Sequence, residues 1–325
     1  ISSRSDYAAA LNQPQAQTAA FFSAPLNEAA TDAVIEQENF LRFWRNPVRH
    51  WLQHTLSWHA PYADEAWDAA EPFDPPHSGR ITEAYTQARR THQDFSQTAS
   101  RLNAESLLPE GELGHLWQQQ FQAAAKSLDG ELLASPKLPP QPYRLSLGEN
   151  TLEGSLGHLH QHGQIYFLNR TPSAPDRLAY LLQHLIFCAV HPHEHPECRT
   201  HLLLPGQSQT LADIPQAAAR AQLAQWLAYF RLGQSRPLPF FAKTGLAVAE
   251  VLSSNKADSL ERAQQTARSE YRGSKKSTGQ RDYIEVDLVF GRDSTEPIDT
   301  PLFWNLLEDL PVPLLQALQA EAGEE

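Results

Sequence analysis

Between Leu152 and Val190 the chain changes hydrophobic period once, and that change restricts its fold more than any other feature. Leu152-Glu-Gly-Ser-Leu-Gly-His-Leu-His160 and Gln164-Ile-Tyr-Phe-Leu-Asn-Arg170 read as two strands joined at His162-Gly163, a turn-compatible pair. Pro172 to Asp176 then leads into an apolar run with helical spacing that ends at Val190. A hairpin followed at once by a buried helix implies an α/β domain, a small mixed sheet flanked by helices. Residues two apart on a strand share a face, so Asn169 and Thr171 are expected to point the same way, with Gly157 near them on the partner strand.

That frame resembles the metal-dependent nucleases of the PD-(D/E)xK superfamily, whose pattern is G-x-x-D, a hairpin turn, then D/E-x-K. Here Gly154-Ser155-Leu156-Gly157 and Asn169-Arg170-Thr171 stand at those places. The chemistry needs two carboxylates, because Mg²⁺ is a hard ion that prefers charged oxygen, and a Lys for developing charge. Gly157 supplies no ligand, Asn169 only a neutral amide oxygen, and Thr171 no positive charge. The expectation is a restriction-endonuclease-like core that is catalytically degenerate.

Several blocks in matching order narrow the resemblance: Phe40-Leu-Arg-Phe-Trp-Arg-Asn-Pro-Val-Arg49, Glu71-Pro-Phe73, Leu108-Pro-Glu-Gly-Glu-Leu-Gly114, the hairpin, Leu181-Leu-Gln-His-Leu-Ile-Phe-Cys-Ala189 and Pro237-Leu-Pro-Phe240. Together they resemble the C-terminal domain of the RecC family, the gamma subunits of exodeoxyribonuclease V. The resemblance implies partners RecB and RecD, DNA held within their complex, a bacterial cytoplasmic location and no resident cofactor. It also implies a part in subunit contacts, duplex splitting and single-strand guidance rather than bond cleavage.

Composition agrees with a local role for any DNA contact. Lys and Arg number 26 against 38 acids, a formal charge of −12, so a whole-surface attraction to nucleic acid is excluded. Two Cys argue against a disulfide scaffold, and no apolar run reaches membrane-span length. No Walker-type phosphate loop and no Gly-x-Ser-x-Gly elbow occurs. The chain begins with Ile and has no Met, which reads as a piece of a larger subunit. Residues 1–34, rich in Ala, Gln, Ser and Asn, read as a linker or strap from a preceding helicase-like region, and residues 35–325 as the nuclease-like domain.

Other candidates carry two readings each. Trp44, Trp51, Trp58 and Trp67, with Arg42, Arg45 and Arg49 between them, fit either a single-strand stacking platform or, as their helical spacing favours, core packing. Arg262, Arg268, Arg272, Lys275, Lys276 and Arg281 form a dense basic run that would follow a phosphate backbone, or a solvated helix end. His158, His160 and His162 alternate on the hairpin and are expected to share a face. Cys188, His191, His193, His195, Cys198 and His201 contain good zinc ligands at spacings that match no standard finger, so a bland loop is the favoured reading there. His115, after Gly114, is a doubtful survivor of the nuclease site.

The remaining expectations concern secondary structure. Helices are expected over Ile81–Leu102, Glu112–Leu128 and Asp213–Leu232, the last ended by Gly233. Asp282 to Asp287 is expected to be a strand with Glu285 and Asp287 on one face, and Trp304 to Ala320 one or two closing helices. Those two acids or Glu153, with Asn169, would be the recruited ligands if the chain were instead a divergent metal-dependent DNA nuclease.

Overall fold

The computed structural model passes from a short strand into helix where Phe40, Leu41 and Trp44 set a 3.6-residue period. It describes residues 21, 22, 24, 34–59, 77–168, 170–193, 195, 198–204, 207–254, 258–274 and 278–322. The proposed strap lies almost wholly outside the described residues, as does Trp67. Strand β1 (Val34–Glu36) runs directly into α1 (Gln37–Arg45). Asn46 then turns the chain into α2 (Pro47–Leu56), accepting from the Arg49 N–H at 3.0 Å while Pro47 occupies the first turn, where its missing N–H costs nothing.

A small helical layer follows: α3 (Ser78–Arg90), α4 (Phe95–Ala104), α5 (Glu112–Ser127) and the short α6 (Gly130–Ala134). The single helix expected over Ile81–Leu102 is two. His92 adopts a left-handed φ of 54°, and Asp94 restarts the helix by accepting from the Ser96 N–H at 3.0 Å. Ile81, Tyr85, Leu102, Leu107, Leu108 and Trp117 give this layer its own small core.

The sheet region is β2 (Gln141–Leu147), β3 (Asn150–Leu156), β4 (Leu159–His160) and β5 (Gly163–Phe167). After it come α7 (Ala174–Val190), β6 (Thr200–Leu204) and β7 (Gln207–Leu211). Among the described residues the expected single sheet is two: β1-β3-β2, and β4-β5-β6-β7. Each mixes one parallel pairing with antiparallel ones. The long strand expected from Leu152 to His160 breaks because His158 takes a left-handed φ of 56°, which ends the β2–β3 ladder at Leu156 and starts a new one at Leu159. The tight turn is Gln161–His162, with Gly163 paired to His160.

Helix α7 is the crossover between the parallel strands β5 and β6, and ten of its 17 residues are buried, as a helix inside rather than on a core requires. Gln164, Tyr166, Thr200 and Leu202 face it, for Tyr166 packs on Tyr180 at 5.0 Å and His184 Nδ1 lies 2.9 Å from Thr200 Oγ1. The opposite face, Ile165 and Leu203, packs with Leu128 and Leu133 beside α6.

The last part is helical: α8 (Gln216–Ser235), α9 (Ala242–Ser253), α10 (Ser259–Arg272), α11 (Ile284–Phe290), α12 (Pro301–Asp309) and α13 (Pro311–Ala322). An aromatic knot ties α1 to α8 and to Phe240 beyond it. Trp44 meets Trp226 at 4.6 Å and Phe240 at 5.3 Å, and Phe43 meets Phe230 at 4.9 Å, all edge to face. Trp44 and Trp51 are therefore core, as their helical spacing favours, rather than a stacking platform.

Two local expectations are corrected. Gly233 lies inside α8, not after it, and glycine is needed there because Phe43 packs where a side chain would stand. Asp282 to Asp287 is not a strand: Glu285, Val286 and Val289 are buried at i, i+1 and i+4, the signature of the helical α11.

Candidate functional site

Gly157 lies in the break between β3 and β4, and its carbonyl accepts from Gln164 Nε2 at 3.1 Å. A Cβ built there meets nothing within 4 Å, so packing does not demand glycine at this place. Strand β5 ends at Phe167, which puts Thr171 in the exposed segment before α7 and off the strand on which it was expected. Asn169 lies outside the described residues.

The recruited-ligand alternative disperses its acids. Glu153 is on β3 beside Arg144 at 3.6 Å. Glu285 is buried on α11 and Asp287 is exposed, since i and i+2 on a helix do not share a face. Among the described residues none of these three belongs to a metal-capable group of three donors. The histidines of the hairpin do not share a face either, because β4 is only two residues long. His160 is buried with Nδ1 2.9 Å from the Ser135 carbonyl, whereas His158 and His162 are exposed. His115 is exposed on α5.

The basic run splits in the same way. Lys275 and Lys276 lie outside the described residues. Arg262, Arg268 and Arg272 project from α10, each already facing an acid: Asp258 at 3.7 Å, Asp299 at 3.9 Å, and Glu296, which takes Arg272 Nε and a terminal nitrogen at 2.8 to 3.1 Å. Arg281 faces its neighbour Asp282 at 3.5 Å. All these pairs are largely solvent-exposed, so they are weak and exchangeable.

A deeper feature is a cleft of about 550 Å³ where α1, α2, α7, α9 and α11 approach one another. Arg45, Arg49 and Lys243 line it, with the N-terminal residues of α7 (Ala174, Pro175) and α9 (Ala242), and with Gln280 and Tyr283 from the connection that carries Arg281. Helix N-termini present unpaired N–H groups and partial positive charge, so two of them beside three cations favour an anionic guest. On the floor, one oxygen of Glu285 accepts from Asn46 Nδ2 at 2.8 Å and from Arg49 Nε at 3.1 Å. Its other oxygen is buried with no hydrogen-bond partner among the described residues. Tyr283, 42% exposed, gives the cleft an aromatic wall. A wider, shallower depression of about 690 Å³ lies between α3, α4 and α5.

The Cys/His cluster resolves into three neighbourhoods. His193 is exposed, while His195 and His201 line a depression of about 330 Å³ with His162 and Arg199. Cys188 is fully buried, its sulfur 3.6 Å from His184 Nε2 and 3.7 Å from the Cys198 carbonyl oxygen. Hydrogen bonding with Cys198 and burial push its thiol pKa far up. His191 and Cys198 do come together, Nδ1 to Sγ at 3.7 Å. A residue that sequence reasoning passed over joins them: Asp213, with the three donor atoms all within 4.8 Å of one another.

The chain has no match among curated proteins. The family described as the RecC C-terminal domain matches residues 32–253, a span that takes in both sheets, the Asn46–Arg49 turn, α7 and α9 but stops before the basic run. With more than half of its length so matched, the chain belongs to the RecC C-terminal domain family.

Proposed function

We propose that the chain is the non-catalytic C-terminal part of a RecC subunit of exodeoxyribonuclease V, the cytoplasmic bacterial helicase-nuclease that processes double-strand breaks. In this reading it contacts RecB and RecD, helps to split the duplex and guides a single strand. Family membership across residues 32–253 carries the proposal. The substitutions at Gly157, Asn169 and Thr171 support a degenerate PD-(D/E)xK-like core, and so do small mixed sheets covered by helices. Among the described residues no helix is long and apolar enough to cross a membrane.

The strand path we propose runs from the basic run into the cleft. Arg281, Gln280 and Tyr283 belong to one connection, and the last two line the cleft. Lys243, on the cleft wall, is paired with Glu270 of α10 at 2.9 Å. A phosphate backbone would replace exposed carboxylates as the partner of Arg268, Arg272 and Lys243, an exchange that costs little because such pairs contribute only about 0–1 kcal/mol each. Tyr283 would stack on a base.

The test is a cleavage and binding assay on labelled single- and double-stranded DNA, with Mg²⁺ or Mn²⁺, for the chain alone and reconstituted with its two partner subunits. The chain alone should not cleave. Lys243→Glu and Arg268→Glu should weaken strand binding and flatten its salt dependence by about one unit per lost phosphate contact. Metal-dependent cleavage by the chain alone, lost in Glu285→Ala, would overturn the non-catalytic reading.

A further inference from the structure

We propose that His191, Cys198 and Asp213 bind a zinc-class divalent cation that fastens the end of α7 to the two connections flanking the β6–β7 hairpin. This site stands apart from the cleft, and the argument for it does not depend on the proposed function.

Sheet register brings the donors together. Thr200 pairs with Leu211 at the open end of the β6–β7 ladder. Cys198 and Asp213 each lie two residues beyond that pair, so the same register sets them opposite one another. His191 reaches them from the end of α7, where it takes a left-handed φ of 49° while its N–H bonds to the Phe187 carbonyl. That left-handed conformation is unfavourable for a non-glycine residue, and here it places the ring beside Cys198.

The distances suit the metal. Zinc bonds of about 2.3 Å to sulfur and 2.0–2.1 Å to nitrogen at a tetrahedral angle hold the two donors about 3.6 Å apart. Cys198 Sγ and His191 Nδ1 are 3.7 Å apart. A thiolate, a carboxylate and a neutral imidazole sum to the charge that Zn²⁺ neutralises, and the donor set is borderline-soft, which excludes Mg²⁺ and Ca²⁺. An independent observation points the same way. Asp213 Oδ1 is buried with no hydrogen-bond partner among the described residues, an arrangement that is unfavourable unless a cation or donor meets it. Binding would displace the Cys198 thiol proton.

The test uses the full chain, purified without chelator. After gel filtration, metal analysis should find about one zinc per chain, held by the three side chains with the fourth position left to water. Replacement by Co²⁺ should give tetrahedral ligand-field bands in the visible and a thiolate-to-cobalt band in the near ultraviolet. Cys198→Ser should abolish the thiolate band, and Asp213→Asn and His191→Ala should each weaken Co²⁺ binding by about 100-fold or more. His193→Ala and Cys188→Ser should keep both bands. Should a ligand variant fail to fold by circular dichroism, the wild-type chain still decides: chelator should lower its melting temperature and Zn²⁺ restore it. The proposal is overturned by a Co²⁺ titration without a thiolate band, by Cys198→Ser or Asp213→Asn with wild-type affinity, or by Cys188→Ser losing the site.

Discussion

Replacing Gly233 by Ala separates two accounts of that glycine. As a helix terminator it would answer to backbone conformation alone; inside α8 it answers to Phe43. A Cβ at Gly233 would fall on the ring edge of Phe43, with Cε2 at 2.7 Å, and 3.2 Å from Leu238 Cδ1. The ring has nowhere to retreat, for Phe43 is fully buried and enclosed by Trp44 at 4.9 Å, His50 at 5.2 Å and Phe230 at 4.9 Å. Overpacking of this kind costs about 1–3 kcal/mol, against which Ala gains about 0.5–1 kcal/mol of helix propensity over Gly. The clash wins, and the expected net effect is a loss of about 1–2 kcal/mol. In a chain of this size that lowers the melting temperature by a few degrees, readable by circular dichroism or denaturant titration. Phe43→Leu should rescue Gly233→Ala, so a double-mutant cycle should show a favourable coupling of about 1 kcal/mol. An additive cycle, or a Gly233→Ala chain as stable as wild type, would refute the packing account.

Three further outcomes are expected. Burial depresses the pKa of His184 from 6.5 to about 4, although its Nε2–H donates to the Ala212 carbonyl at 2.7 Å. The folded chain therefore holds this histidine neutral. Its contribution is complete above the unfolded value near 6.5 and is lost as pH falls towards 4, by about 3 kcal/mol in all; His184→Gln should remove that part of the acid dependence in denaturant titrations from pH 7 to 4. Asn46→Ala deletes both the α2 cap and a donor to the buried Glu285, and should cost about 2 kcal/mol, more than a cap alone; a loss under about 0.5 kcal/mol would show that Arg49 suffices for Glu285. Gly157→Asp should be tolerated within about 0.5 kcal/mol, since its Cβ meets no neighbour; a large loss of stability would show that the strand break itself needs glycine.

Much of the architecture was legible because it rests on period. The helical spacing of Phe40, Trp44 and Trp51, the buried run from Leu178 to Ala189, and Leu223, Trp226 and Phe230 all name core residues before any fold is known. What failed was local. Ile284-Glu-Val-Asp-Leu alternates like a strand for five residues, and the partners that let Glu285 be buried on a helix, Asn46 and Arg49, lie more than 230 residues away in sequence. His158 and His92 break their elements through left-handed backbone that histidine adopts without a sequence signature. The first break also divides one expected sheet into two, and β5 ends at Phe167, short of Thr171.

Asp213 shows how a site can hide from spacing and still be recoverable. Metal motifs are sought as short intervals, and Asp213 lies 15 residues beyond Cys198, outside any finger pattern. Once Thr200–Leu204 and Gln207–Leu211 are taken as a hairpin, their register alone sets Cys198 against Asp213. Residue types nominated the cluster, and only pairing chose its members. The same order of inference keeps His193 and His201 out, although they are nearer in sequence. One is exposed, and the other is turned to the far face of its strand, where its ring nitrogens meet Thr210 at 3.0 Å and the His162 carbonyl at 3.1 Å.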